Sequence, residues 1–455
     1  MPLSNSRFIL ESGVERQRQS DVSGEGIDAG IDRPSFLVVV TDDMRDSDWK
    51  ALPKTWEAIS SRGAVFPNCF LTTPVCSPSR TSILTGQYAH NHRVTQNTGK
   101  SGGFSQFKQR NLSEQTIVSR LRAIGYRTAL FGKFMNGTDE KGGIPGGWDQ
   151  WMATTERDYY KPVMNDNGKR REFKKNSEYA TDILRVRAAS FIRSTPAETP
   201  FFLCFTPKAP HGPSTPARRD RGRFGGARVE RSPDVMEADI SDKPRYVRQL
   251  RSKGLSKLDG LKRKRLGSLV AVDDAVSELI AMLDERGTLD NTYVFVMSDN
   301  GYAMGSHRLT TKGAPYRPIT QVTMLASGPG IASGAIDNRI VANIDLAPTI
   351  AEAAGVDFST GDGVSLLSSD RSDGVLLEAF GRSRAYKALR TRQYLYVENT
   401  SGERELYDYD RDPYELDNLL ANWEGHTPSA EAEAIALDLK PRLNALRNCA
   451  GATCG

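Results

Sequence analysis

The chain is 455 residues long, 38% hydrophobic and 26% charged, which supports a sizeable buried core and excludes an intrinsically disordered chain. Its formal net charge of +5 is small for this length and names no partner. No stretch approaches the roughly 20 consecutive apolar residues of a transmembrane helix, so no membrane span is expected.

Residues 1–33 hold one brief apolar run, Phe8 to Leu10, with no signal-peptide h-region or small-residue cleavage site, and read as a disordered leader. Cytoplasmic residence is the expectation from that start. The closing "CAGATC" leaves export open, because Cys449 and Cys454 could pair in an oxidising compartment. "FLVVVT" (36–41) is a short β-branched run suited to a strand buried on both faces, with Asp42 and Asp43 at its carboxyl end. "EQTIVSRLRAIGYRTALFGK" follows as helix, glycine stop and strand, leading to Lys133. "PFFLCFT" (200–206) and "TYVFVMSDN" (292–300) are two further buried strands, the first followed by His211 and the second closing on Asp299 and Asn300.

Leu269, Val272, Val276, Leu279 and Leu283 mark an amphipathic helix before the 292–300 strand, with Asp273 and Asp274 read as solvated. Strands alternating with helices predict an α/β fold with a mixed, mostly parallel sheet flanked by helices. Such sheets place ligands beyond the carboxyl ends of their strands, where the polar residues just named collect. Residues 217–265 are strongly basic and glycine-broken; a solvated surface insertion is the first reading and a polyanion-binding surface the sharper one. Base-stacking aromatics are sparse there, so no nucleic acid partner is expected. Beyond about 370, "AYKALRTRQYLYVEN" and "ERELYDYDRDPYELDNL" alternate as strands before a helix around 428–447. The expected division is a catalytic domain over 34–368 and a small α+β domain with antiparallel strands over 369–455.

The lone cysteine of "TTPVCSPSRTSILTGQYAHNH" (72–92) fits no familiar thiol chemistry. Cys76 and Arg80 are too close for a cysteine-phosphatase loop, Cys69 is too far for a zinc CxxC pair, and the HxH of His90 and His92 suits capping or surface roles better than a metal. Asp42, Asp43, Asp299 and the amide of Asn300 form an all-oxygen set. Such carboxylates would repel by about 1–4 kcal/mol per close pair without a cation among them, and oxygen donors suit Ca²⁺ or Mg²⁺ better than zinc. Taken singly, each has a plainer reading: the aspartates as caps, Lys133 and Lys312 as surface charges, His211 as a structural loop histidine.

The stretch Cys76, Pro78, Ser79, Arg80, with "TSILTG" behind it, resembles the C-x-P-S-R signature of the type I sulfatases. "SDNG" (298–301), "GK" (132–133), "APH" (209–211) and Lys312 are similar to that family's other site segments, in the same order. Within it, "LTGQYAHNHRVTQNT", "FGKFMN", "SDNGYAMG" and "VANIDLAPTI" look like N-acetylglucosamine-6-sulfatases. The resemblance covers about residues 35–420 and implies an alkaline-phosphatase-like fold. It further implies conversion of Cys76 to Cα-formylglycine by a separate maturation enzyme, and calcium, with magnesium as the alternative, held by Asp42, Asp43, modified Cys76, Asp299 and Asn300. Arg80, Lys133 and Lys312 would hold the sulfate, with His211 or Lys312 as the general acid.

The implied reaction cleaves a sulfate monoester of a sugar, free or within a sulfated glycan, or of an aryl alcohol. One hydroxyl of the hydrated aldehyde attacks sulfur, and the second drives sulfate elimination, a step that a serine could not perform. Met135 stands where many sulfatases place a histidine, with Asn136 or His90 as substitute bases, and Arg317 departs from the family's "YE". Hydrolysis of phosphonate monoesters or phosphodiesters by the same nucleophile is the alternative, and an inactive glycan-binding scaffold is a third reading.

Overall fold

In the computed structural model, which describes residues 33–455 except 140, 156, 157, 382, 383, 424 and 455, the "FLVVVT" run forms the middle of the main sheet; the expected leader, residues 1–32, lies outside the described residues. Among the described residues that sheet has eleven strands. They are β1 (Ser35–Thr41), β2 (Gly63–Phe70), β3 (Arg127–Gly132), β4 (Gln150–Thr154), β5 (Val163–Asp166), β6 (Lys169–Glu172), β7 (Phe201–Thr206), β8 (Thr292–Ser298), β9 (Gln321–Ser327), β10 (Ala335–Ile336) and β11 (Val341–Ala342). Their order is β10-β2-β9-β8-β1-β7-β3-β4-β5-β6, with β11 also on β2. From β8 to β4 the neighbours are parallel; β9 runs antiparallel to β8 and β2, as β5 does to β4.

The two-residue period of β1 divides the interior. Phe36, Val38 and Val40 face one core, shared with Ile83, Ile117, Leu121 and Ile350, while Leu37 and Val39 face the other, shared with Ile59, Leu184, Leu269 and Val272. Full burial of each such side chain is worth about 1.5–3 kcal/mol, so both faces of the sheet hold helices against it. On the first face lie Cys76–Thr85, Ile117–Ala123 and Leu346–Ala354; on the second, Pro53–Ser60, Ala180–Ser194 and the 30-residue helix Ser256–Glu285.

A second sheet of β12 (Gly374–Ala379), β13 (Tyr386–Thr391), β14 (Tyr394–Asn399) and β15 (Arg404–Asp408) is antiparallel throughout. The helix Ala430–Leu446 follows it, opened by Ser429, whose side chain accepts from the Ala432 N–H. Cys449 and Cys454 are joined as a disulfide.

Two readings of the sequence are corrected. Asp273 is buried rather than solvated: its carboxylate accepts from the N–H groups of Lys54 at 3.2 Å and Thr55 at 2.7 Å, capping the Pro53–Ser60 helix. The basic 217–265 segment is only partly a solvated insertion. Residues 256–265 begin the long helix, and Lys243, Lys262 and Arg265 are buried in ion pairs. The strand β2 carries Pro67 and a register shift against β9 between Phe66 and Cys69.

Candidate active site

The site forms where β1, β3, β7 and β8 end. β1 delivers Asp42 and Asp43 side by side, and Asp43 takes a left-handed backbone, φ 70°, that turns the chain away from the sheet. β3 ends at Gly132, φ 131°, where a Cβ would lie 2.0 Å from Thr206 O; that close pass sets Lys133 at the strand end, its N–H donating to the same carbonyl at 2.8 Å. Cys76 is the first residue of a wholly buried helix that ends at Gly86 in a left-handed cap. The positive end of that helix faces the site.

All nine residues expected at the site lie in it. Lys133 Nζ donates to Asp42 Oδ2 at 2.6 Å, and Lys312 Nζ to Asp43 Oδ1, to Asn300 Oδ1 at 3.2 Å and to Cys76 Sγ at 2.6 Å. Arg80 Nε donates to Asp299 Oδ2 at 2.8 Å and its Nη1 to Lys133 O at 2.7 Å, while its Nη2 is buried without a partner. Asp299 Oδ1 accepts from Asp43 N at 3.0 Å, and Asn300 Nδ2 donates to Asp43 Oδ1 at 2.7 Å. His211 Nε2 is 3.8 Å from Asp43 Oδ2; ligand atoms of Asp42, Asp43, Cys76 and His211 all lie within 4.8 Å of one another. The His211 Nδ1 faces Gly212 O at 2.9 Å, so that nitrogen carries a proton and Nε2 is the atom turned to the site.

Each of the three carboxylates is thus matched by one cation. Burial pushes Asp42 up, but Lys133, His211, Arg80 and Lys312 outweigh it and hold the carboxyl well below the usual range. The same contest lowers Asp43, chiefly through Lys312, whereas for Asp299 burial wins over Arg80 and the group is raised. Burial opposes the Lys312 ammonium, yet the carboxylates of Asp43 and Asp42 hold it charged well past its ordinary range. Cys76 behaves oppositely: burial, then the Asp42 charge, pushes its thiol up to about 12. A helix N-terminus would activate a thiol, but here the burial effect is larger, and the neutral thiol is a poor nucleophile at pH 7.

A cleft of ≈ 230 Å³ opens on Asp42, Lys133 and His211, lined further by Thr98, Met135, Asn136 and Lys208. Lys208 was missed in the sequence, although it stands two residues past the end of β7; its Nζ lies 5.5 Å from the Tyr159 ring centroid. Of the two substitute bases, Asn136 lines the cleft and His90 is drawn elsewhere. His90 faces Glu378 Oε2 at 3.1 Å and Cys449 O at 3.0 Å, which engages both ring nitrogens, and Asn136 Oδ1 accepts from Ser77 Oγ at 3.0 Å. His92 is no metal ligand either: it accepts from Val94 N, faces Ser82 Oγ, and is held neutral by burial, at about 3.

A second buried ion cluster supports the first from behind. Arg265 Nη2 donates to Asp43 O and pairs with Asp48 at 3.0 Å, Lys262 pairs with Asp48 at 2.8 Å and Glu230 at 3.0 Å, and Arg45 joins Glu230 at 3.0 Å. Asp48, held ionised by Lys262 and Arg265 against burial, fixes the guanidinium that grips the Asp43 backbone. No motif signals this support, because its members are far apart in the chain.

Strand-end carboxylates, cations and a buried cysteine on this fold define a hydrolase of anionic esters. The family model described as Sulfatase matches residues 34–356, and the chain belongs to that family. Human N-acetylglucosamine-6-sulfatase is 31% identical over 94% of this chain and 87% of its own length. The structure of BT4656 in complex with its substrate D-glucosamine-2-N,6-O-disulfate superposes with a TM-score of 0.75 at 22% identity, covering 90% of this chain and 98% of that one. A phosphonate monoester hydrolase of Agrobacterium radiobacter shares the fold, with a TM-score of 0.69 at 18% identity over 91% of this chain and 95% of that one. The chain is a sulfatase, hydrolysing sulfate monoesters to alcohol and sulfate.

Proposed function

We propose that the substrate is a sulfate ester on an amino sugar and that Cys76 works as formylglycine beside a calcium ion. The observation that carries this is the setting of Cys76, a buried thiol pushed up to about 12 at the meeting point of three carboxylates and three cations. The likeness to human N-acetylglucosamine-6-sulfatase, at 31% identity, supports the sugar class. The likeness to the phosphonate hydrolase is one of fold alone.

The residues present fit a hard divalent cation. Asp43, Asn300 and Cys76 already surround one positive charge, the Lys312 ammonium, and the remaining donors nearby are the oxygens of Asp42 and Asp299. Such an ion would be held by Asp42, Asp43, Asp299 and Asn300. When present, the aldehyde supplies a hydrate able to take up and release a sulfuryl group, and the cation neutralises sulfate oxygens. The chain's own groups do the rest. Arg80 offers its partnerless Nη2, and Lys133 and Lys312 offer ammonium protons, to the three sulfate oxygens. His211, at the cleft and with Nε2 turned inward toward Asp43 Oδ2, acts in its doubly protonated form, keeping the Nδ1 proton on Gly212 O and giving the Nε2 proton to the departing sugar oxygen. Burial of the whole Cys76–Thr85 helix fixes the nucleophile's position before substrate arrives.

The test is coexpression with a formylglycine-generating enzyme, followed by assay on N-acetylglucosamine 6-sulfate and on the matching phosphate ester. Sulfate release that vanishes in Cys76→Ala and falls on chelation, with restoration by Ca²⁺, is expected. Faster turnover of the phosphate ester, or undiminished activity in Cys76→Ala, would overturn the proposal.

A further inference from the structure

The 217–265 segment carries sixteen Lys and Arg against seven Asp and Glu, a net +9 in a chain whose total is +5. The fold sorts these charges. Residues 216–231 run back along the start of the long helix: Gly267 lies under Pro216, Arg263 Nη1 reaches Ala227 O at 3.3 Å, and Asp259 accepts from Val229 N at 2.9 Å and Arg231 Nη2 at 2.8 Å. The loop therefore follows about 12 Å of helix, at 1.5 Å per residue between Asp259 and Gly267.

Along that strip the acids turn inward. Asp220 is buried, Glu230 is taken by Arg45 and Lys262, and Asp259 by Arg231 and a backbone N–H. The cations turn out: Arg221, Arg223, Arg228, Lys257 and Lys264 are exposed. Among the described residues Arg221, Arg228, Lys257 and Lys264 have no carboxylate within ion-pair distance, and Arg223 reaches only Asp220, at 3.8 Å. The strip begins at the site. Tyr159 donates to His211 O at 2.6 Å, the adjacent Tyr160 hydroxyl accepts from Arg218 N at 2.6 Å, and beneath it Arg265 grips Asp43 O.

We propose that this strip is a docking surface for a linear sulfated polysaccharide, which it holds beside the cleft while one sulfate ester enters. The proposal rests on the sulfatase reading for the identity of the chain being held. An outward row of cations with its acids turned inward attracts a polyanion over a distance of about a Debye length, near 8 Å at physiological salt. Single-stranded nucleic acid is disfavoured, since Phe224 is the strip's one aromatic and it packs against the core rather than offering a stacking face.

The test compares the full-length chain with Arg221→Gln/Arg228→Gln/Lys264→Gln, using heparin as the polymer probe and N-acetylglucosamine 6-sulfate as the small substrate. The triple variant is expected to keep kcat/KM for the monosaccharide within about twofold and to weaken heparin binding about tenfold. The slope of log K against log salt should fall by about 2–3, at about 0.7–0.9 per lost contact. Unchanged heparin affinity would overturn the proposal, as would an oligonucleotide that binds as tightly as heparin of equal charge. Heparin affinity measured on Cys76→Ala should match the unmutated chain. Absence of sulfate release by the unmutated, matured chain would overturn the sulfatase reading instead, and leaves this binding measurement intact.

Discussion

Two buried clusters of opposite charges flank the loop that follows β8. At one, Lys312 joins Asp43, Asn300 and Cys76; at the other, His307 Nδ1 pairs with Glu237 at 2.6 Å, its Nε2 faces Glu415 at 3.6 Å, and Lys243 reaches Glu237 at 3.4 Å. Both use left-handed backbone near the charged groups, at Asp43 in the first and at His307 and Glu415 in the second. The difference lies in what each turns to its cleft. Among the described residues each cluster leaves one buried nitrogen without a hydrogen bond, Arg80 Nη2 and His307 Nε2, and each borders a cleft; but the first cleft is lined by Asp42, Lys133, Lys208 and His211, whereas Glu415, at the edge of the second, is already taken up by Arg317 N and Tyr409. An ion cluster that turns cations and an imidazole to its cleft is suited to an anionic ligand; one whose carboxylates are taken up by its own chain holds a loop in place.

That contrast can be broken at several points. Cys76→Ala should lower turnover by at least about 10⁴-fold while leaving the fold intact, because on the proposed mechanism it removes the nucleophile and little else. Sulfate release measured beside a thermal melt checks this, and a loss of stability matching the loss of rate would put Cys76 in a structural role. Lys133→Ala and Arg80→Ala should each cost about 10²–10³ in kcat, the usual effect of losing a donor to a charged transition state. Steady-state kinetics on a small sulfate ester would show it, and a change confined to KM would place these cations in ground-state binding alone.

At the second cluster the expected signature is stability rather than rate. Burial works against a charged His307, but Glu237 and Glu415 outweigh it and raise the ring to about 9, above the 6.5 of an exposed histidine. A folded-state value raised in this way stabilises fully below about pH 6.5, and the contribution, on the order of 3 kcal/mol, is lost as pH climbs through about 9. His307→Gln should remove that fall and lower stability at pH 6 by about 3 kcal/mol, since two buried carboxylates lose their partner. Urea unfolding at pH 6 and pH 9 checks this, and equal pH dependence in both proteins would contradict it. The smallest effect is assigned to Cys449→Ser. Opening the short disulfide loop should cost about 2 kcal/mol with kcat unchanged, read from melts with and without reductant.

The same contrast explains what the sequence made legible. Asp42, Asp43, Asp299 and Asn300 stood out because each follows a continuous apolar run, and strands buried on both faces announce their ends. Cys76 stood out through its signature with Arg80. Lys262 did not, because burial of a charge is decided by partners remote in the chain: Lys262 pairs with Asp48, 214 positions earlier, so "LKRKR" reads as a solvated run until those partners are in place. Asp273 was misread for the same reason, its capping role depending on a helix more than 200 positions away. Lys208 lacked only attention to its place beyond β7.

The central claim is that Cys76 acts as an aldehyde and not as a thiol. It is tested most directly by the mass of the proteolytic peptide containing residue 76, followed across preparations matured to different extents and plotted against turnover. Activity rising in proportion to the aldehyde fraction, and extrapolating to none in its absence, is the result expected. Full turnover from a chain whose residue 76 remains an unmodified cysteine would contradict it.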